Sequence, residues 1–291
     1  MAYLWTVLAS IITNLTTVCD KTYMRKTNHV KTNVDLYLLF IYPLMTVYYF
    51  LLAGGKVPLN VPTFLFSLVF SVASLFVTKL KMLAYNHATI VYITVFSGAS
   101  MILPFFYELL FLESQFRMSQ YIAVGLRILA VCIPLFFLEA GDSISSKGLL
   151  LCLLLFLVSG SAGVITRMFS THPKVLSDGS FFFWINVLIL PSAVLGVLRK
   201  ARPKELYGDF KQIKFRYFLL MLIPAIINNA INFISIELIR QVTSTVYSIL
   251  TGTAQILVSA FLSVVIYREK LSCKAALSLV LSLGAAVLSL L

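Results

Sequence analysis

Long apolar runs, separated by short charged or polar segments, make up almost all of this chain. A helix needs about 20 apolar residues to cross the ~30 Å hydrocarbon core of a bilayer, so runs of this length predict membrane-spanning helices. We predict ten such helices and therefore an all-α membrane protein. No secretory signal peptide is expected, because the first run lacks a basic preceding region and a cleavage site. The ten segments are 2–19, 35–53, 62–82, 88–112, 119–138, 148–169, 180–198, 217–236, 243–266 and 273–291.

The composition agrees with a membrane location. Hydrophobic residues make up 60% of the chain and charged residues 12%, whereas soluble domains contain about 45–50% and ~25%. The three histidines and four cysteines show no spacing typical of a metal site. We therefore expect no metal and no cofactor, and an intramembrane metalloenzyme is disfavoured. The expected location is a bacterial inner (plasma) membrane, with the chain as an integral multi-pass protein.

One sequence plan occurs twice, in VYITVFSGASMILPFFYELLFLESQF (91–116) and VYSILTGTAQILVSAFLSVVIYREKLS (246–272). Each stretch begins with Val-Tyr, continues through small and apolar residues, and ends in charge. The alignment pairs Thr89 with Ser244, Val91 with Val246, Tyr92 with Tyr247, Ala99 with Ala254 and Phe106 with Phe261. It predicts two five-helix repeats, 1–140 and 146–291. Because five is odd, the second repeat is inverted relative to the first, which is a common way to build a transport site near the midplane.

Two stretches carry a family resemblance. They are the opening VLASIITNLTTVCDK and the ending YREKLSCKAALSLVLSLGAAVLSLL, in which Glu269 follows an apolar helix and Gly284 lies among small residues. Together with the ten-helix, five-plus-five plan, they resemble the drug/metabolite transporter superfamily, especially its EamA-type and nucleotide-sugar-transporter-like members. The resemblance implies secondary transport of small organic solutes, including amino acids, nucleosides, sugar phosphates, nucleotide sugars and quaternary amines. Members of the superfamily usually keep both termini in the cytoplasm.

The distribution of basic residues predicts a different orientation. Loops after odd-numbered segments hold 17 of the 23 Lys and Arg residues, among them seven in 199–216. Loops after even-numbered segments hold five, namely Lys56, Arg117, Arg167, Lys174 and Arg240. Basic loops tend to be cytoplasmic, so both termini are expected outside. The net charge of +12 is interpreted as topology and contact with anionic lipid headgroups, and nucleic acid is not an expected partner.

Polar residues form stripes on four of the predicted helices, although polar side chains are costly in lipid and should face a cavity or another helix. The stripe of segment 62–82 has the spacing of a single helical face. The asparagines of segment 217–236 offer amide donors and carbonyl acceptors for a polar solute. The stripes are Ser67, Ser71, Ser74, Thr78 and Lys81; Asn228, Asn229, Asn232 and Ser235; Ser244, Tyr247, Thr251, Gln255 and Ser259; and Thr89, Tyr92, Ser97 and Ser100.

We expect these stripes to converge on one water-accessible cavity near the bilayer midplane. Asn228 and Asn232 would hydrogen-bond the solute, and Tyr92 and Tyr247 would flank it from opposite sides. Gln255 would add a further polar contact. The alternative is that these residues join helices to one another, as small polar side chains commonly do in membranes.

Charged and polar residues inside the other segments are interpreted in the same way. Lys81 attracts an anionic group or extends to the lipid headgroups. Arg127 lies near the centre of its segment, where an unpaired guanidinium is costly, so it needs a partner. Glu108 in a neighbouring helix is one candidate, and backbone carbonyls at a homodimer seam are the other. Asn186 and Trp184 are candidate gate or site residues.

Two classes of function remain from the sequence. The first is a secondary transporter for a small polar metabolite, by facilitated export or exchange, because membrane-embedded carboxylates for proton coupling are scarce. Within this class, a nucleotide-sugar or phosphorylated-metabolite antiporter is the alternative. The second class is an integral-membrane enzyme or a receptor-like protein. Catalysis requires a nucleophile with a base, a carboxylate pair or a metal cluster, and the sequence offers no such set, so we expect no enzyme activity.

Overall fold

The structure is a computed structural model, and it describes the chain with several gaps. The described residues are 2–27, 30, 32–113, 115–136, 144–200, 207, 213, 217, 220–227, 230–231, 234, 244–266, 268 and 273–290. Ten helices are bounded within them: α1 (Ala2–Thr27), α2 (Asn33–Leu52), α3 (Val61–Ala84), α4 (Ile90–Ala99), α5 (Ile102–Phe111), α6 (Met118–Phe136), α7 (Ser146–Thr171), α8 (Asp178–Lys200), α9 (Ser244–Val265) and α10 (Cys273–Leu290). Residues 220–227 are also helical, inside the predicted segment 217–236.

The all-α membrane class is confirmed for the described residues. Five helical stretches are long and apolar enough to cross a membrane: Asn33–Leu52, Val61–Ala84, Ile90–Phe111, Ser146–Thr171 and Asp178–Lys200. The two faces of α3 fit a lipid environment, because Ser67 and Ser71 are buried while the opposite, apolar face is exposed. The exposed residues are Leu65, Val69, Val72 and Phe76. Such a continuous apolar surface is unusual on a protein surrounded by water.

The predicted single helix 88–112 is interrupted at its centre. α4 ends at Ala99 and α5 begins at Ile102. Pro104 explains the break, because proline has no N–H group and cannot donate a hydrogen bond to the carbonyl of Ser100. That carbonyl instead accepts a tighter bond from Leu103 N at 3.2 Å. The segment as a whole is apolar enough to be predicted as one spanning helix, so hydropathy alone did not predict this break.

The contacts divide the chain into two compact units, and each unit draws on both predicted repeats. The first unit comprises Met1–Asn14, Phe76–Arg167 and Glu237–Leu291, and the second comprises Leu15–Leu75 and Met168–Ile236. This division follows packing, whereas the predicted boundaries 1–140 and 146–291 follow sequence similarity. The inverted repeat therefore stays a prediction.

In the second unit, α2 packs along α8 in the antiparallel direction. The ring of Tyr49 stacks on Phe182 at 5.2 Å between centroids. At the other end of the pair, Lys200 Nζ lies 2.6 Å from the buried Asp35 Oδ2. Gly196 makes room for this carboxylate, since a Cβ atom there would lie 2.5 Å from Asp35 Oδ1.

In the first unit, α6 packs along α10 and α4 crosses α9. The buried face of α10 consists of small residues at helical spacing, namely Ala275, Ser278, Ser282 and Ala285, which allow close helix approach in membranes. The crossing of α4 and α9 is formed by two glycines. A Cβ atom at Gly252 would lie 3.1 Å from Gly98 O, so larger residues would separate the two helices.

Candidate functional site

A polar cavity of about 120 Å³ lies beside the break between α4 and α5, inside the first unit. Four stretches contribute to its wall: the end of α4, the start of α5, the middle of α7 and the middle of α9. The lining residues are Ser97, Gly98, Ser100, Met101, Pro104, Ser159, Gly163, Thr251, Gly252 and Gln255.

The cavity lies at the mid-length of each helix that forms it. Ser100 and Met101 occupy the centre of the apolar stretch Ile90–Phe111, and Ser159 occupies the centre of α7. Thr251 and Gln255 flank the centre of α9. A spanning helix places its centre near the bilayer midplane, so the two candidate spanning stretches Ile90–Phe111 and Ser146–Thr171 put the cavity near that depth.

The polar groups of the wall divide into two kinds. The hydroxyls of Ser97 and Ser100 donate to carbonyl oxygens of their own segment, Thr94 O at 3.4 Å and Ser97 O at 2.6 Å, so towards a ligand their oxygens serve as acceptors. The side chains of Ser159 and Gln255 have no hydrogen-bond partner within the described part of the chain. The Gln255 amide has two donor hydrogens and a carbonyl acceptor. The wall can therefore both donate to and accept from a polar solute.

Arg127 of α6 lies behind the glycine crossing and is almost fully buried. A Cβ atom at Gly98 would lie 3.5 Å from Arg127 Nη1, and one at Gly252 would lie 3.4 Å from Nη2. The guanidinium therefore packs against the backbones of two helices that line the cavity. The partners predicted for Arg127, which were Glu108 or carbonyls at a dimer seam, stay predictions.

Glu108 forms an ion pair with a residue that the sequence interpretation had assigned to a loop. Arg167 lies inside α7, and its Nε atom is 2.6 Å from the buried Glu108 Oε1. Counting Arg167 among the loop residues was therefore wrong. Arg167 lies close to the end of a long apolar helix, where a basic side chain commonly extends to the lipid headgroups. Its buried partner shows that it faces α5 instead.

The structure brings two of the predicted solute-binding residues, Thr251 and Gln255, into the cavity together with Ser97 and Ser100. Other predicted residues lie elsewhere. Tyr92 is fully buried in α4, and Ser74, Thr78 and Lys81 are half-buried on α3. The Lys81 ammonium lies 5.9 Å from the ring centre of Tyr85.

The remaining predicted residues have separate outcomes. In the second unit, Asn186 is buried, and its side-chain amide donates to Phe182 O at 2.7 Å, one turn earlier in α8. Trp184 donates to Pro58 O at 3.4 Å. Asn228, Asn229, Asn232 and the side chain of Tyr247 lie outside the described residues. The roles of all these residues in solute binding stay predictions.

The sequence interpretation missed the contribution of α7. Ser159 and Gly163 line the cavity, and Gly160 lies directly behind it. The stretch SGSAG at 159–163 carried a usable signal, because a run of small residues in an apolar segment marks a site where another helix approaches closely. A Cβ atom at Gly160 would lie 2.8 Å from Ser100 O, which is such an approach.

Comparisons with known proteins show a shared fold but do not identify a function. No protein-family profile and no curated protein sequence matches this chain. A solved structure, described only as the crystal structure of a protein, is similar to it with 14% sequence identity and a TM-score of 0.59. The similarity covers 99% of this chain and 95% of that one. The two proteins therefore share a fold over nearly their whole lengths.

Proposed function

We propose that this chain is a secondary transporter that moves a small polar organic metabolite across the membrane by alternating access, as facilitated export or exchange. The observation that carries the proposal is the polar cavity at the mid-length of α4–α5, α7 and α9. Polar groups at this depth are costly unless they face water or a ligand. The proposal includes two inverted five-helix repeats, 1–140 and 146–291, and membership of the drug/metabolite transporter superfamily that the sequence resembles.

A phosphorylated-metabolite or nucleotide-sugar antiporter is the second candidate. The observation that favours it is the Arg127 guanidinium, which lies against the cavity-lining glycines Gly98 and Gly252. A buried positive charge at this place lowers the energy of an anion in the cavity. Neutral and zwitterionic solutes rely instead on the Ser159 and Gln255 side chains, so Arg127→Gln separates the two candidates by reducing exchange of anionic solutes alone.

Transport is tested by combining a ligand screen with flux. Purified protein is screened for thermal stabilisation by a metabolite library, because a ligand at 100 times its Kd adds about 2.7 kcal/mol to stability. The stabilising solute is then loaded, unlabelled, into proteoliposomes, and entry of labelled solute is followed. We expect labelled solute to accumulate transiently. Binding accompanied by chemical turnover of the solute, without accumulation, would favour an enzyme.

Asn228 and Asn232 are predicted to hydrogen-bond the solute, and substitution tests this role. Loss of a buried hydrogen bond to the solute costs about 1–3 kcal/mol, so Asn232→Ala is expected to weaken binding roughly five- to 150-fold with unchanged protein yield. Leu277→Ala, at an exposed position of α10, is the control. If transport persists in Asn228→Ala and Asn232→Ala while the yield falls, the asparagines join helices and do not bind solute.

A further inference from the structure

We infer that the ion pair between Glu108 of α5 and Arg167 of α7 is a gate that closes the cavity at one end. The inference rests on the proposed transport role of the cavity and adds a moving part to it. Its basis is the way α5 and α7 run beside each other, with successive contacts one helical turn apart.

The first two contacts are tight because α7 contributes a glycine to each of them. A Cβ atom at Gly160 would lie 2.8 Å from Ser100 O, and one at Gly163 would lie 2.7 Å from Pro104 Cγ. From the first contact to the second, the residue numbers rise on both helices, so α5 and α7 are parallel here. Ser100, Pro104 and Gly163 also line the cavity, which places this seam in the cavity wall.

The third contact is the ion pair. Glu108 follows the lining residue Pro104 by four positions, and Arg167 follows the lining residue Gly163 by four. An α-helix has 3.6 residues per turn, so the pair lies about one turn beyond the cavity wall. Nε of Arg167 and Oε1 of Glu108 are 2.6 Å apart. The pair therefore stands between the cavity and the ends of α5 and α7.

The two partners differ in their access to water, which lets the pair open in one direction. The side chain of Glu108 is 1% exposed and that of Arg167 is 21% exposed. A long arginine side chain near a helix end can move out to the headgroups, whereas the carboxylate stays inside. An ion pair at a low-dielectric site is strong when closed, and a buried carboxylate without its cation is unfavourable. The state in which Glu108 and Arg167 are paired and α5 contacts α7 is therefore a defined closed state, and opening it requires energy.

The orientation predicted from the basic loops indicates on which side of the membrane the gate lies. Residues 113–117 follow the fourth predicted segment and residues 172–177 follow the sixth, and loops after even-numbered segments are predicted outside. Separation of Glu108 from Arg167 would then open the cavity to the exterior. Another helix-to-helix ion pair, Asp35 with Lys200, lies in the other unit and does not border this cavity.

The gate is tested by the water accessibility of one cavity residue. Ser159→Cys is made in protein whose four native cysteines are replaced by serine, reconstituted into liposomes, and treated with a charged, membrane-impermeant methanethiosulfonate reagent. Glu108→Gln keeps the size of the side chain and removes its charge. Breaking a buried ion pair shifts an equilibrium by about tenfold or more, so the labelling rate is expected to rise by that factor in Glu108→Gln.

Controls separate the gate from general loosening and from transport itself. Lys200→Gln removes the ion pair with Asp35 and is expected to leave the labelling rate unchanged. The double variant Glu108→Gln/Arg167→Gln, which removes both charges of the pair, is expected to label as fast as Glu108→Gln. Unchanged labelling in both Glu108 variants would overturn the gate. Because labelling needs no solute, that result would leave the proposed transport standing, whereas accelerated labelling without any solute flux would retain the gate and remove the transporter.

Discussion

Gly160→Ala is expected to destabilise the protein by about 1–3 kcal/mol, the usual cost of forcing extra atoms into a packed interior. The added methyl group would lie 2.8 Å from Ser100 O and 2.9 Å from Leu103 Cδ2. Ser100 O belongs to the backbone at the helix break, so it cannot rotate away as a side chain can. Either α7 moves outward or the break is distorted, and both changes alter the cavity wall. A lower melting temperature in detergent is the expected readout.

Gly125→Ala on α6 is the matched control for this substitution. Among the described residues, and apart from the adjacent residues and backbone of its own helix, no atom lies within 4 Å of the position that its Cβ would occupy. Alanine also favours a helix over glycine by about 0.8–1.0 kcal/mol, so the melting temperature should stay the same or rise. Equal melting temperatures for Gly160→Ala and Gly125→Ala would mean that α7 does not pack this closely on the α4–α5 break.

Ser159→Leu is expected to reduce solute exchange by more than about tenfold while the protein still folds. The leucine side chain would occupy part of a cavity of only about 120 Å³. It would also replace a hydroxyl that has no other hydrogen-bond partner within the described residues. Loss of one such bond to a solute costs about 1–3 kcal/mol, which covers the tenfold change. Exchange is measured with proteoliposomes preloaded with unlabelled solute.

Ser161→Leu gives the same substitution on the same helix in a different environment. Ser161 is exposed, and its hydroxyl donates to Leu157 O at 2.9 Å on its own helix. A leucine there faces the lipid side and should leave exchange close to the wild-type rate. If Ser159→Leu and Ser161→Leu transport equally well, solute does not pass through this cavity.

The positions of the helices could be predicted from the sequence because each apolar run carries its own signal. The described helices agree with eight of the ten predicted segments within two residues at each end, with segment 88–112 divided into α4 and α5. For the first segment, predicted as 2–19, the start is right, but α1 continues to Thr27. The tenth, 217–236, lies largely outside the described residues. The break within segment 88–112 was missed because hydropathy does not report a missing N–H group, although Pro104 was visible in the sequence.

The candidate site could be predicted only in part, for a physical reason. The polar spacing of Thr251 and Gln255 marks one face of α9, and Ser97 and Ser100 mark the end of α4, so periodicity within each helix was sufficient. Ser159 joins them only because α7 packs on the break, and no single helix encodes that contact. The ion pair of Arg167 was not predicted for the same reason, since its partner Glu108 lies in a different helix.

The central claim is that the cavity faces each side of the membrane in turn, and accessibility of Ser159 tests it most directly. A single cysteine introduced by Ser159→Cys is labelled with an impermeant thiol reagent added to only one face of oriented membrane vesicles, in separate experiments with right-side-out and inside-out preparations. Labelling is expected from both faces, with each reaction slowed by a solute that binds the cavity. Labelling from one face alone, or from neither, would contradict alternating access through this site.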